Sequence, residues 1–263
     1  MVFMPDVGYQ RVMLSYSEFG VSDAPAILIV HGLYGSGRNW GVIAKRLSDS
    51  ARVVTVDLRN HGTSPRTDSH SYPEMADDLA EVIARIGAPC HVIGHSMGGK
   101  AAMALALMQP RLVSRLVVAD IAPVAYTHSQ LPYIHAMRAV DLSAVSRRSD
   151  AEAQLAAQGV EPALCSFFTQ SLDIREKRWL LNLDTLEAEM PKIMGFPDLD
   201  GQFDNPTLFL SGANSDYVLP EYRSGIKALF PNAHFAKLKD AGHWLHAEQP
   251  RAFEAAIRSF LAG

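Results

Sequence analysis

The stretch Gly94-His95-Ser96-Met97-Gly98-Gly99-Lys100 constrains this chain more than any other. Ahead of it, Cys90-His91-Val92-Ile93 is a short apolar run of strand type. Behind it, Ala101–Met108 has the composition of a buried helix. A strand that turns sharply into a helix with G-x-S-x-G at the turn is a nucleophile elbow. The turn forces Ser96 into a strained backbone conformation and aims its hydroxyl away from the sheet. Side chains at 94 and 98 would meet neighbouring backbone, and glycine has none. The helix starting beside Ser96 turns unpaired N–H groups and its positive end toward any oxyanion formed there.

An overlapping pattern points elsewhere. Gly94, four residues, Gly99 and Lys100 fit the P-loop spacing, and Arg115–Asp120 resembles a Walker B strand. A P-loop needs Ser or Thr after its lysine to bind Mg²⁺, and small residues to wrap phosphates. Position 101 is alanine, and His95 and Met97 are bulky. The elbow is the preferred reading, and Lys100 is expected to be solvated on the elbow helix.

At 263 residues, the chain suits one α/β domain with an insertion as well as it suits two small domains. It is 48% hydrophobic with a net charge of −4, which implies a large core and no basic face for nucleic acid or anionic membrane. Its two cysteines, Cys90 and Cys165, make no disulfide framework and suit a reducing, intracellular setting. Met1–Asp6 lacks the basic start and apolar stretch of a signal peptide. No apolar run approaches the roughly 20 residues of a membrane span. A soluble cytoplasmic protein is expected.

Arg11–Phe19 alternates and reads as an edge or antiparallel strand, followed by a turn at Ser22-Asp23-Ala24-Pro25. The unbroken apolar run Ala26–Val30 fits a parallel strand buried on both faces, and it ends in the glycine-rich His31-Gly32-Leu33-Tyr34-Gly35-Ser36-Gly37. A helix around Trp40–Leu47 and strand Arg52–Asp57 follow. Arg59 and His61 then fall in a polar turn, expected to be a loop held by local hydrogen bonds. Helix Tyr72–Ile86 stops at Gly87. After strand Leu116–Ala119, roughly eighty residues pass before the next buried strand, Thr207–Leu210, too many for a loop in a compact domain. Their content is helical, at Ala151–Gln158, Ala163–Gln170 and Ile174–Glu189. Helix Pro220–Phe230, strand His234–Leu238, the turn Ala241-Gly242-His243 and a helix from about Arg251 to Leu261 complete the chain.

Alternating strand and helix give a doubly wound, mostly parallel twisted sheet with helices on both faces and a late helical cap insertion. Residues 1–123 and 206–263 would form the core domain, and residues 124–205 the cap over the C-terminal edge of the sheet. Ser96, Asp120, Asp216 and His243 all fall at strand ends. A serine hydroxyl needs a base to take its proton, and imidazole suits that near neutral pH. A carboxylate fixes the imidazole tautomer. Spacing leaves both Asp120 and Asp216 open for that role. His246 is expected to pack or cap. His91 and His95 have no carboxylate cluster nearby and are not expected to hold metal.

Over nearly its whole length the chain resembles the α/β-hydrolase superfamily, and within it the small YbfF-type bacterial esterases. The likeness rests on His31–Ser36, GHSMGGK at 94–100, DIAP at 120–123, GANSDYV at 212–218 and AGHWLHAE at 241–248. It implies a hydrolase of acyl esters or thioesters working through an acyl-serine, with no cofactor. Ser96 is then the nucleophile, His243 the base, and the backbone N–H groups of Leu33 and Met97 the oxyanion hole. The general superfamily pattern takes its acid from the later strand, at Asp216. The YbfF-type pattern takes it from Asp120, which is preferred. Serine at 96 argues against haloalkane dehalogenases and epoxide hydrolases, which carry aspartate there. Apolar cap residues, Phe167 and Phe168 among them, would cover the cleft and favour short to medium acyl groups. A non-catalytic small-molecule binder of the same fold is the alternative.

Overall fold

The computed structural model describes residues 11–21 and 25–263. The hexapeptide Met1–Asp6 and all but Pro25 of the expected turn at 22–25 lie outside them.

Strands β1 (Tyr16–Phe19), β2 (Ile27–Val30), β3 (Val53–Val56), β4 (Cys90–His95) and β5 (Val113–Ala119) join β8 (Thr207–Gly212) and β9 (Ala233–Leu238) in one seven-stranded sheet. Its order is β1-β3-β2-β4-β5-β8-β9, with β1 antiparallel to β3 and every other pair parallel. The unbroken apolar runs have their expected cause. In β2, Leu28 and Val30 join a core with α2 (Tyr72–Ile86) and α3 (Met97–Met108). Ile27 and Ile29 face the opposite side, toward α1 (Gly41–Leu47) and α11 (Pro250–Ala262). A sheet covered on both faces has no polar side to alternate with.

Local chemistry sets the helix ends. Ser71 and Glu74 form a capping box at the start of α2, with Pro73 in its first turn, and Gly87 follows its last residue at φ 100°. Of the expected strand Arg11–Phe19 only Tyr16–Phe19 pairs. Between β5 and β8 lie α4 (Leu131–Arg138), α5 (Arg148–Ala157), α6 (Pro162–Thr169), the antiparallel pair β6 (Leu172–Asp173) and β7 (Arg178–Trp179), α7 (Leu183–Ala188) and α8 (Met190–Met194). The single helix expected at 174–189 is therefore a two-strand ribbon followed by a short helix. Tertiary acceptors take its N–H groups: Leu180 N donates to Ser171 O at 2.8 Å and Asn182 N to Asn60 O at 2.9 Å. The expected helix at 220–230 opens with a 3₁₀ turn and becomes α9 (Arg223–Leu229). The four-residue α10 (Leu245–Glu248) precedes α11. Among the described residues, no helix is long and apolar enough to cross a membrane.

Lys100 is not solvated. It is buried on α3, and its Nζ donates to Val124 O at 2.8 Å, Met194 O at 3.0 Å and Gly195 O at 2.5 Å. Burial pushes its pKa down to about 7, while three carbonyl acceptors match the three N–H donors of an ammonium. Those carbonyls lie at the two ends of the helical insertion, so Lys100 ties both ends to the helix that follows Ser96.

Candidate active site

The elbow is built by close backbone approach. A Cβ on Gly94 would lie 2.3 Å from Gly98 O, and one on Gly98 would lie 2.3 Å from His31 O. Neither position can carry a side chain. Ser96 sits at φ 53°, ψ −122°, a region strained for any residue with a Cβ. Asp120, at the end of β5, also has a positive φ of 52°. Two strand ends are thus bent out of the sheet toward each other's neighbourhood.

His243 lies between them. Its Nδ1–H donates to Asp120 Oδ2 at 2.7 Å, and its Nε2 faces Ser96 Oγ at 3.0 Å. A carboxylate can only accept, which places the imidazole proton on Nδ1 and leaves Nε2 free to accept from serine. Asp120 is fully buried; its Oδ1 accepts from Gly212 N at 3.1 Å, and Ser215 Oγ donates to Oδ2. Asp216 is exposed; its neighbour Ser215 is the residue that reaches the Asp120 carboxylate.

The turn carrying His243 is held from both sides. Glu248 accepts from Gly242 N at 2.6 Å and from Trp244 N at 3.2 Å. His95 Nε2–H donates to His243 O at 2.8 Å, joining the elbow strand to the histidine turn. Burial, and then the nearby His246 and His243, keep the His95 pKa well below the ordinary histidine value. His246 stacks on Trp40 at 4.0 Å, and burial pushes its pKa down to about 3. His91 meets Ser114 Oγ at 2.8 Å. Neither His95 nor Glu248 stands out in the sequence as a positioning group; only their nearness to Ser96 and His243 along the chain hinted at one.

The loop after β2 is braced by a second set of histidines. His31 Nε2 accepts from Leu58 N at 2.9 Å, and His61 Nε2 accepts from Tyr34 N at 3.2 Å. Both rings donate through Nδ1 to main-chain carbonyls. Burial lowers the pKa of both. Leu33 is suspended between these anchors, and Met97 is the first residue of α3, where an N–H has no helical partner. The 57–65 loop is hydrogen-bonded as expected, but its bonds reach well beyond the turn. Arg59 is buried in ion pairs with Asp78 at 2.6 Å and Glu74 at 3.0 Å on α2.

Above Ser96 lies a cavity of about 280 Å³. Ser96, His243, Leu33 and Met97 contribute to its floor, and Leu164, Phe167, Phe168, Ile193 and Met194 of the insertion also line it. Phe168 is almost fully buried against Tyr34 and Tyr133, whereas Phe167 is half-buried beside Trp244.

The chain belongs to the alpha/beta hydrolase family, whose model matches residues 27–256. Within that family it is a carboxylester-hydrolysing enzyme of the YbfF type. It is 39% identical over 239 residues to the esterase YbfF of Escherichia coli (strain K12), covering 89% of this chain and 92% of that one. To the sn-1-specific diacylglycerol lipase ABHD11 of Mus musculus it is 42% identical over 261 residues, covering 95% of this chain and 85% of the mouse protein. The solved structure of a marine microorganism esterase superposes with a TM-score of 0.90 at 38% identity, covering 95% of this chain and 99% of that one.

Proposed function

We propose that the protein hydrolyses short- to medium-chain carboxylic esters, and acyl thioesters of similar size, through an acyl-serine intermediate. The supporting observation is the unbroken hydrogen-bond line Ser96 Oγ, His243, Asp120 beneath a partly apolar cavity. In this reading Ser96 Oγ attacks the acyl carbon while His243 Nε2 takes its proton. Asp120 holds the tautomer and stabilises the imidazolium. The N–H groups of Leu33 and Met97 receive the oxyanion. The imidazolium then gives its proton to the leaving alcohol or thiol. Water, deprotonated by the same nitrogen, releases the acid and restores Ser96. Residues 124–205 act as a cap whose apolar side chains hold the acyl chain. A cavity of about 280 Å³ is at the small end for ligand sites, which favours short acyl groups.

The mouse relative's name supports a second reading, in which the acyl chain comes from a diacylglycerol. A panel of esters and thioesters from acetyl to palmitoyl, together with a diacylglycerol, separates the two. A kcat/KM maximum between butyryl and octanoyl is expected, and a maximum at palmitoyl or at diacylglycerol overturns the short-chain reading. A fluorophosphonate probe should label Ser96 and abolish turnover; labelling elsewhere, or turnover that survives it, removes the serine mechanism.

A further inference from the structure

Hydrogen bonds to Asp120 and Ser96 act in the plane of the His243 ring. They define its two nitrogens but oppose only weakly a rocking of the ring out of that plane. The face of the ring is covered by Tyr217, whose ring centroid lies 4.0 Å away at an interplanar angle of 21°. The other aromatic neighbours, His95 at 4.9 Å and Trp244 at 5.5 Å, meet His243 tilted or edge-on.

Tyr217 is itself fixed at three points. Its hydroxyl meets His128 Nε2 at 2.9 Å, its carbonyl accepts from Tyr126 Oη at 2.7 Å, and its N–H donates to Ser215 Oγ at 3.3 Å. Ser215 Oγ in turn bonds the Asp120 carboxylate. One loop therefore grips both the acid and the ring stacked on the base. Tyr126 and His128 belong to the segment leading from β5 into α4, so the stack is also tied to the start of the insertion.

We propose that Tyr217 is a positioning residue for His243: its ring blocks rocking of the imidazole, and its π face stabilises the imidazolium formed in each proton transfer. The inference rests on the Ser96–His243–Asp120 reading and extends it. An aromatic face attracts a cation at this range, more strongly where water is excluded. The benefit falls on the charged state, so it lowers the barrier rather than tightening substrate binding. The titratable groups around the base are the Asp120 carboxylate, the imidazoles of His95, His246 and His128, and the Tyr217 phenol. Burial lowers the pKa of all three imidazoles and raises the phenol to about 12, so all four are neutral near pH 7.

The test compares Tyr217→Phe, which keeps the ring, with Tyr217→Leu and Tyr217→Met, which remove it, on a butyryl ester. The ring-less variants should lose about 3–30-fold in kcat with KM within about twofold. Their acid limb of kcat/KM should move to lower pH by about 0.4–1 unit, because the charged imidazole has lost support. Tyr217→Phe should stay within about threefold of the parent in kcat, with its acid limb unmoved. Equal losses in all three variants would transfer the role to the hydroxyl and its His128 bond. Unchanged kcat and pH profile in a folded ring-less variant would remove the role altogether. His243→Ala is the control for the underlying reading: activity surviving there defeats the triad itself, whereas its loss beside a Tyr217→Leu with the parent kcat and pH profile defeats only the stack.

Discussion

Replacing Asp120 by asparagine keeps the shape of a fully buried side chain and reverses its hydrogen-bond logic. The carboxylate now accepts from three donors: Gly212 N at Oδ1, and Ser215 Oγ and His243 Nδ1 at Oδ2. An asparagine amide has two orientations there. With its oxygen toward His243, its NH₂ group faces the Gly212 N–H in a buried site, a donor–donor clash costing about 1–3 kcal/mol. With its NH₂ toward His243, Gly212 keeps its acceptor and the Ser215 hydroxyl rotates to accept. The second orientation wins. Its N–H then points at His243 Nδ1, the imidazole proton moves to Nε2, and the base can no longer accept from Ser96. The minority in the working orientation still lacks the negative charge that stabilises the imidazolium. Together these predict a fall in kcat of about 10³–10⁴, or roughly 4–5.5 kcal/mol of barrier, with little change in KM. Asp216 is exposed, and Asp216→Asn should stay within about twofold. Steady-state kinetics on a butyryl ester with both purified variants decides the matter. The reverse ranking would hand the role to Asp216, and equal moderate losses would mean that either acid can serve.

Ser96→Ala should lower kcat by about 10⁴–10⁶, while chelator leaves the parent rate intact; strong inhibition by chelator would implicate a metal. Phe167→Ala should shift the chain-length optimum upward at little cost in stability, whereas Phe168→Ala, from a nearly sealed site, should cost about 3–5 kcal/mol; a chain-length series and denaturant melts read the two effects. Lys100→Met leaves three carbonyls without their donor, and after relief of the buried charge it should cost about 2 kcal/mol, or roughly 5 °C in Tm; an unchanged melt would mean that the ammonium is no tether. Acid should destabilise the fold through its buried histidines. Burial lowers the pKa of His31, His61, His70, His95 and His246, with His70 and His246 at about 3, so below pH 6.5 the unfolded chain takes up protons that the folded chain refuses. Between about pH 6 and 4 His70 and His246 alone should remove roughly 2–3 kcal/mol per pH unit, measured by urea titration; stability that stays flat over that range would contradict their burial as neutral rings.

What could be read beforehand follows from how far along the chain each feature's physics extends. The parallel sheet is legible because runs such as Ile27–Val30 and Val92–Ile93 are apolar without alternation, which only a sheet covered on both faces permits. The elbow is legible because Gly94 and Gly98 are demanded by contacts within a few residues of Ser96 and with the adjoining strand. The ribbon at 172–179 is not, because its helical-looking apolar spacing is overruled by carbonyls of Ser171 and Asn60 that only the folded chain presents. Lys100 shows the same limit. A lysine four residues into a helix gives no sign that carbonyls from positions 124, 194 and 195 will converge on its Nζ.

The placement of the proposed acid follows from the same convergence. Spacing puts Asp120 and Asp216 equally well at strand ends, but β5 lies between β4, which leads into Ser96, and β8, which leads to Ser215. A carboxylate at the end of β5 is buried between its two neighbours, where Gly212 N and Ser215 Oγ can satisfy it. One on the loop after β8 has solvent on one side and needs no such partners. The positive φ of Asp120 turns its side chain toward His243 at a strain cost of order 1–3 kcal/mol, which the three hydrogen bonds the carboxylate then accepts together outweigh. Removing the Ser215 hydroxyl should therefore loosen the acid and the base together. Ser215→Ala deletes a donor to Asp120 and an acceptor for Tyr217 N, and it should lower kcat by about 3–10-fold at unchanged KM, a loss of about 1 kcal/mol for one charge-assisted hydrogen bond. A Ser215→Ala enzyme with the parent kcat would show that Gly212 N and His243 alone suffice to hold Asp120.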